Sequence, residues 1–520
     1  MEDKRNLDTR AKALIDSQPE EALKIYRQIW DNYPEQFNAY NGMFALKAGR
    51  KIPNVDIDFP SKIACKFPDS DMVNGIFGWL IFDRFIKGKS EAEILSYETS
   101  ITEQLNKISQ KNLREDNSYP CPFSIIAFKL ADAFSHNMFN APKVNRILDV
   151  INAQYLSIIP NTITTEKFGE KEQASDLEKY FALKTKALLK QNQFEDCISL
   201  SQQALEELDR FHYDNDLWFK MRIALCEEKL GNYEASEHLF KKLLSSKAGS
   251  SKWFLYRDIA ELYFEQENYG KAWKFAVDAA FYGNEPKFLI GLYLLQAQIL
   301  YKLDRPEDGK LLAELIAGIL QEEGWRNKQE YNKLFDFYSI DQNDVEPLKK
   351  IYRKAEDFWI SERYKGKPVS EGEIVWIHQR GKFGKIQSLG SNEVINFNKK
   401  DFRRRQRNLH DLNGARVSYI EMPSFDDSPI AENISILDNP TKKGREKQEN
   451  VGKELKGKVK NVVPFGVFVK FKDLGDGLLH KSKLPNHLKN DFEQAFTEDQ
   501  EIEVKIIKVT DKGIQLELIE

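Results

Sequence analysis

A chain of 520 residues, 41% hydrophobic and 30% charged, has room for several separately cored domains and the composition of a soluble globular protein. Its net charge of −4, from 77 basic and 81 acidic side chains, does not advertise nucleic-acid binding for the chain as a whole. The charge is uneven, however: residues 366–520 hold 27 Lys+Arg against 24 Asp+Glu, leaving 50 against 57 for residues 1–365. The two parts should therefore seek different partners.

The first residues, Met1-Glu2-Asp3-Lys4-Arg5-Asn6, are charged and lack the apolar core of a signal peptide. The longest apolar stretch, Phe288–Tyr301, is about 14 residues and carries Gln296 and Gln298. It is too short to span a membrane and reads as a buried helix. Cys65, Cys121, Cys197 and Cys226 are scattered without a Cys-x-x-Cys pair, as expected of isolated buried thiols in a reducing compartment, here the cytoplasm. No phosphate-binding loop, His-Glu-x-x-His, Gly-x-Ser-x-Gly or metal-ligand spacing among the seven histidines is present, so neither catalysis nor a metal or other cofactor is expected.

Residues 1–365 are helical in pattern. In 171–326 the clearest unit has Tyr256, Ile259, Ala260, Tyr263, Tyr269, Ala272 and Ala279, and Phe194, Tyr233 and Pro306 stand where Tyr269 does, in steps of 39, 36 and 37. Ala22, Tyr26, Ile29 and Pro34 in residues 1–51 take equivalent offsets. Small residues let antiparallel helices approach and aromatics fill the groove between hairpins, so the pattern resembles the tetratricopeptide repeat (TPR), whose own period is 34 residues. Residues 52–170 are helical but off-register, broken by Pro53, Pro60, Pro68, Pro120, Pro122 and Pro160, and read as divergent hairpins of the same superhelix. Residues 327–367 supply terminal helices, the last opening at Pro347 and running to Tyr364.

Gly366-Lys367-Pro368 then breaks the helix, and residues 368–438 show strand texture. The runs Gly372–His378, Gly381–Ile386, Val394–Asn398 and Gly414–Tyr419 resemble a cold-shock domain, a five-stranded OB-fold. The resemblance implies that Trp376 and Phe383 stack on bases. Lys385 falls where that family has a further phenylalanine, and Asn396 and Asn398 where it has an aromatic and a histidine, so half the stacking platform is missing. Charge stands in its place. Residues 379–407 carry Arg380, Lys382, Lys385, Lys399, Lys400, Arg403, Arg404, Arg405 and Arg407 against Glu393 and Asp401. Guanidinium groups track phosphates and stack on bases, so Lys382, Lys385, Arg403, Arg404, Arg405 and Arg407 join the candidate RNA contacts.

Residues 439–453 are polar and read as a flexible linker. In 454–520 the strand Gly466-Val467-Phe468-Val469-Lys470-Phe471 alternates between an apolar face and one offering Phe468 and Lys470. With Leu455–Val463 before it and Gly477-Leu478-Leu479-His480-Lys481-Ser482 after it, the segment resembles the S1-type RNA-binding domain, another OB-fold. That implies base contacts at Phe465, Phe468 and His480. Lys458, Lys460, Lys470 and Lys481 would serve phosphates. Here Thr510-Asp511-Lys512 is one residue shorter than that family's pattern, and the stand-in for its basic residue is not fixed.

The fold class expected is multidomain, an α-helical TPR-like solenoid followed by two small all-β OB-fold barrels. The function expected is an RNA-binding adaptor, with a protein partner on the helices, single-stranded RNA on the barrels and no membrane. A scaffold whose barrels bind protein, and a ribonuclease with its site in residues 52–170, are the alternatives.

Overall fold

The computed structural model describes residues 3–519 apart from 117–118, 137, 166–168, 326–328, 342–343, 392, 404–405, 407, 425–427, 439–450, 472–473, 490 and 511–512, with the backbone alone of Thr165 and Thr510. The chain forms two compact units, Met1–Ile319 with Arg326–Ile340, and Leu320–Trp325 with Asp341–Glu520. No helix among the described residues is long and apolar enough to cross a membrane. Helices followed by two closed five-stranded barrels are the fold class expected from the sequence.

The helical unit is an array of hairpins. In the helix Pro19–Asn32 a proline and two glutamates open the first turn, and Ala22, Ile25, Tyr26 and Ile29 form one buried stripe. Later come the pairs Asp176–Lys190 with Phe194–Glu207, Asn215–Lys229 with Tyr233–Leu244, Trp253–Glu265 with Tyr269–Tyr282, and Ile290–Lys302 with Pro306–Glu323. The first helix of each pair also packs on the first helix of the next.

Each of these four pairs turns by the same device. A residue with positive φ stands two positions before the second helix: Asn192 (59°), Gly231 (83°), Glu267 (58°) and Asp304 (57°). The amide of the following residue reaches back to Leu188, Glu227, Tyr263 and Leu300 at 2.8–3.0 Å. The amide of the left-handed residue itself bonds Leu189, Glu228, Phe264 and Tyr301 at 2.9–3.2 Å. Together these two bonds satisfy the carbonyls that a helix end orphans.

Close approach within a pair depends on the fourth residue of the second helix, which is Cys197, Ser236, Ala272 or Gly309. The Cys197 thiol donates to the Thr185 carbonyl at 3.3 Å and the Ser236 hydroxyl to the Ala224 carbonyl at 2.8 Å, twelve residues back in both cases. At the same offset the other pairs have Ala260 and Ala297, both buried. Small side chains at Cys197, Ser236 and Ala272 leave room for the facing helix, whereas a Cβ on Gly309 would meet the Tyr338 hydroxyl.

Three expectations are corrected in this unit. Residues 52–170 are not helical throughout: β1 (Asn161–Thr165) and β2 (Gly169–Gln173) form an antiparallel hairpin. Its base is tied to the helices by His212, whose Nε2 lies 3.0 Å from Glu172 and whose Nδ1 lies 2.7 Å from the buried Glu178. The two carboxylates raise the His212 pKa against the opposing effect of burial. The cysteines are neither all buried nor all isolated. Cys65 is exposed, and Cys197 packs against Cys226 beside Leu188. Phe288–Tyr301 is a buried helix only from Ile290; Phe288 and Tyr301 themselves are exposed, and the buried Gln296 is satisfied by the Ala276 carbonyl at 2.7 Å.

In the second unit the helix Leu348–Arg363, with Pro347 as its cap, precedes the first barrel. That barrel comprises β3 (Val369–Ile377), β4 (Phe383–Ser388), β5 (Val394–Asn398), β6 (Arg416–Pro423) and β7 (Pro429–Asp438). The next has β8 (Glu454–Val463), β9 (Gly466–Phe471), β10 (Gly475–His480), β11 (Glu501–Thr510) and β12 (Gly513–Leu518). Both close in the order first, second, third, fifth, fourth, with the third and fifth strands parallel, as in an OB-fold. Both also carry a glycine in the first strand where no Cβ fits. At Gly372 it would stand 2.4 Å from Ile386, and at Gly457 2.5 Å from Val469. The helix Leu348–Arg363 is fastened to the first barrel by Arg363, whose guanidinium meets Glu432 at 2.9 Å, with the Tyr364 hydroxyl donating to the same carboxylate at 2.8 Å. Arg363 and Glu432 are both almost wholly buried.

Candidate nucleic-acid interface

Strict alternation would carry Trp376 inward, because Gly372 and Ile374 already face the core. A bulge between Ile374 and Trp376 prevents this. It leaves Val375 and Trp376 both exposed, at 44% and 43%, and sets Trp376 opposite Lys385. Phe383 opens β4 and is 41% exposed, since Gly384 and Ile386 take the inward positions. The Trp376 and Phe383 rings lie 5.8 Å apart, with the Lys385 ammonium 5.9 Å from the Trp376 ring. Lys382 is exposed beside them.

Sequence reasoning missed His378. Its ring stacks on Phe383 at 4.4 Å and 21° and meets Trp376 edge-on at 6.0 Å. The signal was present in the run Gly372–His378, where strand alternation puts residues 376 and 378 on one face; His378 follows directly on the end of β3. On the third strand Phe397 points into the core, and the outward positions hold Asn396 and Asn398 in place of rings. Asn398 is occupied with Asp401, whose carboxylate accepts its amide at 2.6 Å and its side chain at 3.1 Å. Burial pushes the Asp401 pKa up to about 6.

Of the run Arg403, Arg404, Arg405 and Arg407, only Arg403 falls among the described residues. Arg403 bonds through its amide to the Ile434 carbonyl of β7 at 3.0 Å. Its side chain lines a cleft of about 1190 Å³ with Arg353, Glu356, Asp357 and Ile436. Arg404, Arg405 and Arg407 lie outside the described residues, as do Asp511 and Lys512.

In the second barrel a bulge between Val459 and Asn461 repeats the device. Val467 and Val469 are fully buried, while Phe468 is partly exposed and Phe465 is 47% exposed, their rings 6.2 Å apart at 85°. His480 pairs with Gly466, and the amide of Lys481 bonds the Phe465 carbonyl at 3.0 Å, so the end of β10 joins the turn that carries Phe465. The structure thus brings Phe465, Phe468 and the His480 backbone to one end of the barrel.

Lys458 and Lys470 stand directly opposite each other on β8 and β9. Like charges facing across a sheet destabilise it, although Glu501 on the other side of Lys458 and Asp476 on the other side of Lys470 relieve much of this. A polyanion laid over the pair would relieve the rest. Lys481 is exposed in the turn after β10. Lys460, expected on phosphate, is ion-paired with Asp476 at 2.5 Å. Both partners are exposed, so the pair is weak and open to exchange.

Residues 448–518 match the family model for the S1 RNA binding domain. Polyribonucleotide nucleotidyltransferase of Wolinella succinogenes is 39% identical over 67 residues, which are 13% of this chain and 9% of that protein. The Campylobacter jejuni subsp. doylei protein of the same name is 37% identical over 92 residues, 17% of this chain and 12% of that one. The chain thus spans only about a tenth of the length of these curated relatives. A solved structure of Rap protein complexed with competence and sporulation factor aligns with 68% of this chain and 99% of its own, at 12% identity. Its TM-score of 0.27 carries no argument. The last barrel is accordingly an S1 RNA-binding domain, which supports RNA binding by the chain.

Proposed function

We propose that the protein is a non-enzymatic, cytoplasmic RNA-binding adaptor. A TPR-like helical array docks a protein partner, while a cold-shock-like barrel and the S1 barrel together hold single-stranded RNA. The supporting observation is the repetition between the barrels. Each turns rings outward by a bulge in its first strand or a turn beside it, and each sets lysines near them. Stacking on rings and neutralisation of phosphates bind a strand without reading much of its sequence. The linker expected over 439–453 lies outside the described residues at 439–450; a flexible chain of about 15 residues would span roughly 20 Å on average, so that one strand could engage both barrels with the gain of high effective concentration.

The full chain and its Phe465→Ala, Phe468→Ala variant are titrated with a labelled pyrimidine-rich RNA strand. The variant should lose about 1–3 kcal/mol of binding per stack and keep its unfolding midpoint. Proteins recovered with the chain should be the same for both and should survive ribonuclease treatment. Unchanged affinity in the variant, or partners that vanish with the RNA, would overturn the adaptor.

A further inference from the structure

Resting on the reading of the first barrel as a single-strand binder, we propose that His378 is its third base-contacting residue, completing with Trp376 and Phe383 a site for one unpaired nucleobase. None of the three rings belongs to the barrel's core, which Ile374, Ile386, Phe397, Leu409, Val417 and their neighbours fill. The rings instead cluster on the outside, each touching the other two, and the His378–Phe383 pair is nearly parallel. Apolar rings gathered half in water are an unused stacking surface.

Hydrogen bonding points the same way. His378 Nδ1 accepts the backbone amide of Arg380 at 3.2 Å, which fixes the ring and leaves the proton of the neutral imidazole on Nε2. Among the described residues Nε2 has no hydrogen-bond partner. An oriented donor on a half-exposed ring is suited to a carbonyl oxygen or ring nitrogen on the edge of a base. The S1 barrel contains the same arrangement. There His480 Nδ1 accepts the amide of Ser482, again two residues ahead and again at 3.2 Å, and also meets the Ser482 hydroxyl at 2.9 Å. His378 follows the first strand and His480 closes the third, so the likeness is one of chemistry and not of position. With Asn398 committed to Asp401, a ring just after β3 stands where β5 has no outward one.

The test uses the full chain carrying Phe465→Ala and Phe468→Ala, so that the first barrel dominates. The probe is an oligouridine of about eight nucleotides containing 5-iodouridine. His378→Ala should weaken binding about fivefold or more, as loss of one stack does, and His378→Phe, which keeps a ring but no donor, should weaken it less. Irradiation should link the probe to the segment 376–383 of the parent protein, a readout that does not depend on any variant folding. If Trp376→Ala weakens binding and His378→Ala does not, His378 is no contact while the barrel's RNA reading stands. If neither variant matters and no link forms in 376–383, both readings fall and the rings serve another partner.

Discussion

The two barrels close in one strand order and share a first-strand bulge, a first-strand glycine and a strand-end histidine, yet they take their rings from different strands. Beyond the bulge the first barrel sets Trp376 opposite Lys385, and the second sets Asn461 opposite Phe468. Ring and polar residue have exchanged places across the hairpin. The backbone devices decide where an outward position exists, while the side chain placed there is free to vary. A second difference concerns attachment. The first barrel is fastened to the helix before it through the buried Arg363–Glu432 pair, and no pair of that kind is found in the S1 barrel among the described residues.

The largest expected effect bears on that attachment. Glu432→Ala leaves a buried guanidinium without its carboxylate and should destabilise the first barrel by about 3–5 kcal/mol in urea unfolding, with the S1 barrel unchanged. A loss below about 1 kcal/mol would show that the helix and barrel are joined by something else. Next come the glycines. Gly372→Ala and Gly457→Ala should each cost about 1–3 kcal/mol from overpacking. The first should cost more, because its Cβ would lie 2.6 Å from a backbone oxygen, whereas Gly457 meets only side chains. The reverse order would mean that the two first strands coil differently. The smallest effect is a gain. Asp476→Asn frees Lys460, which should steepen the dependence of log K on log salt by up to about 0.7 on single-stranded RNA. An unchanged slope would place Lys460 off the path of the strand.

The barrels were legible because Val467 and Val469 alternate with Phe468 and Lys470, and glycines mark the bends. The bulge was not. One extra residue leaves no compositional trace, and alternation alone would have buried Trp376, which is half-exposed. His378 escaped because the comparison was made with a pattern that carries its histidine on the third strand. The β1–β2 hairpin escaped for a different reason. Thr162, Ile163 and Thr164 are exposed on both faces, so no burial period is written into them. In the helical unit the repeat steps of 39, 36 and 37 residues recur in the left-handed turn residues, a backbone regularity that only Gly231 betrays in the sequence.

The parallel pairing of third and fifth strands has a consequence for the order of folding. The rings of each barrel lie in or beside its first hairpin, whose strands meet over a short sequence separation and can pair within microseconds. Closure waits for β7 to reach β5 and for β12 to reach β10, contacts of long sequence separation that are slow to form. During synthesis the residues of each ring platform therefore leave the ribosome before the strands that close the barrel behind them, and because an isolated hairpin is marginally stable, the platform acquires a fixed geometry only on closure.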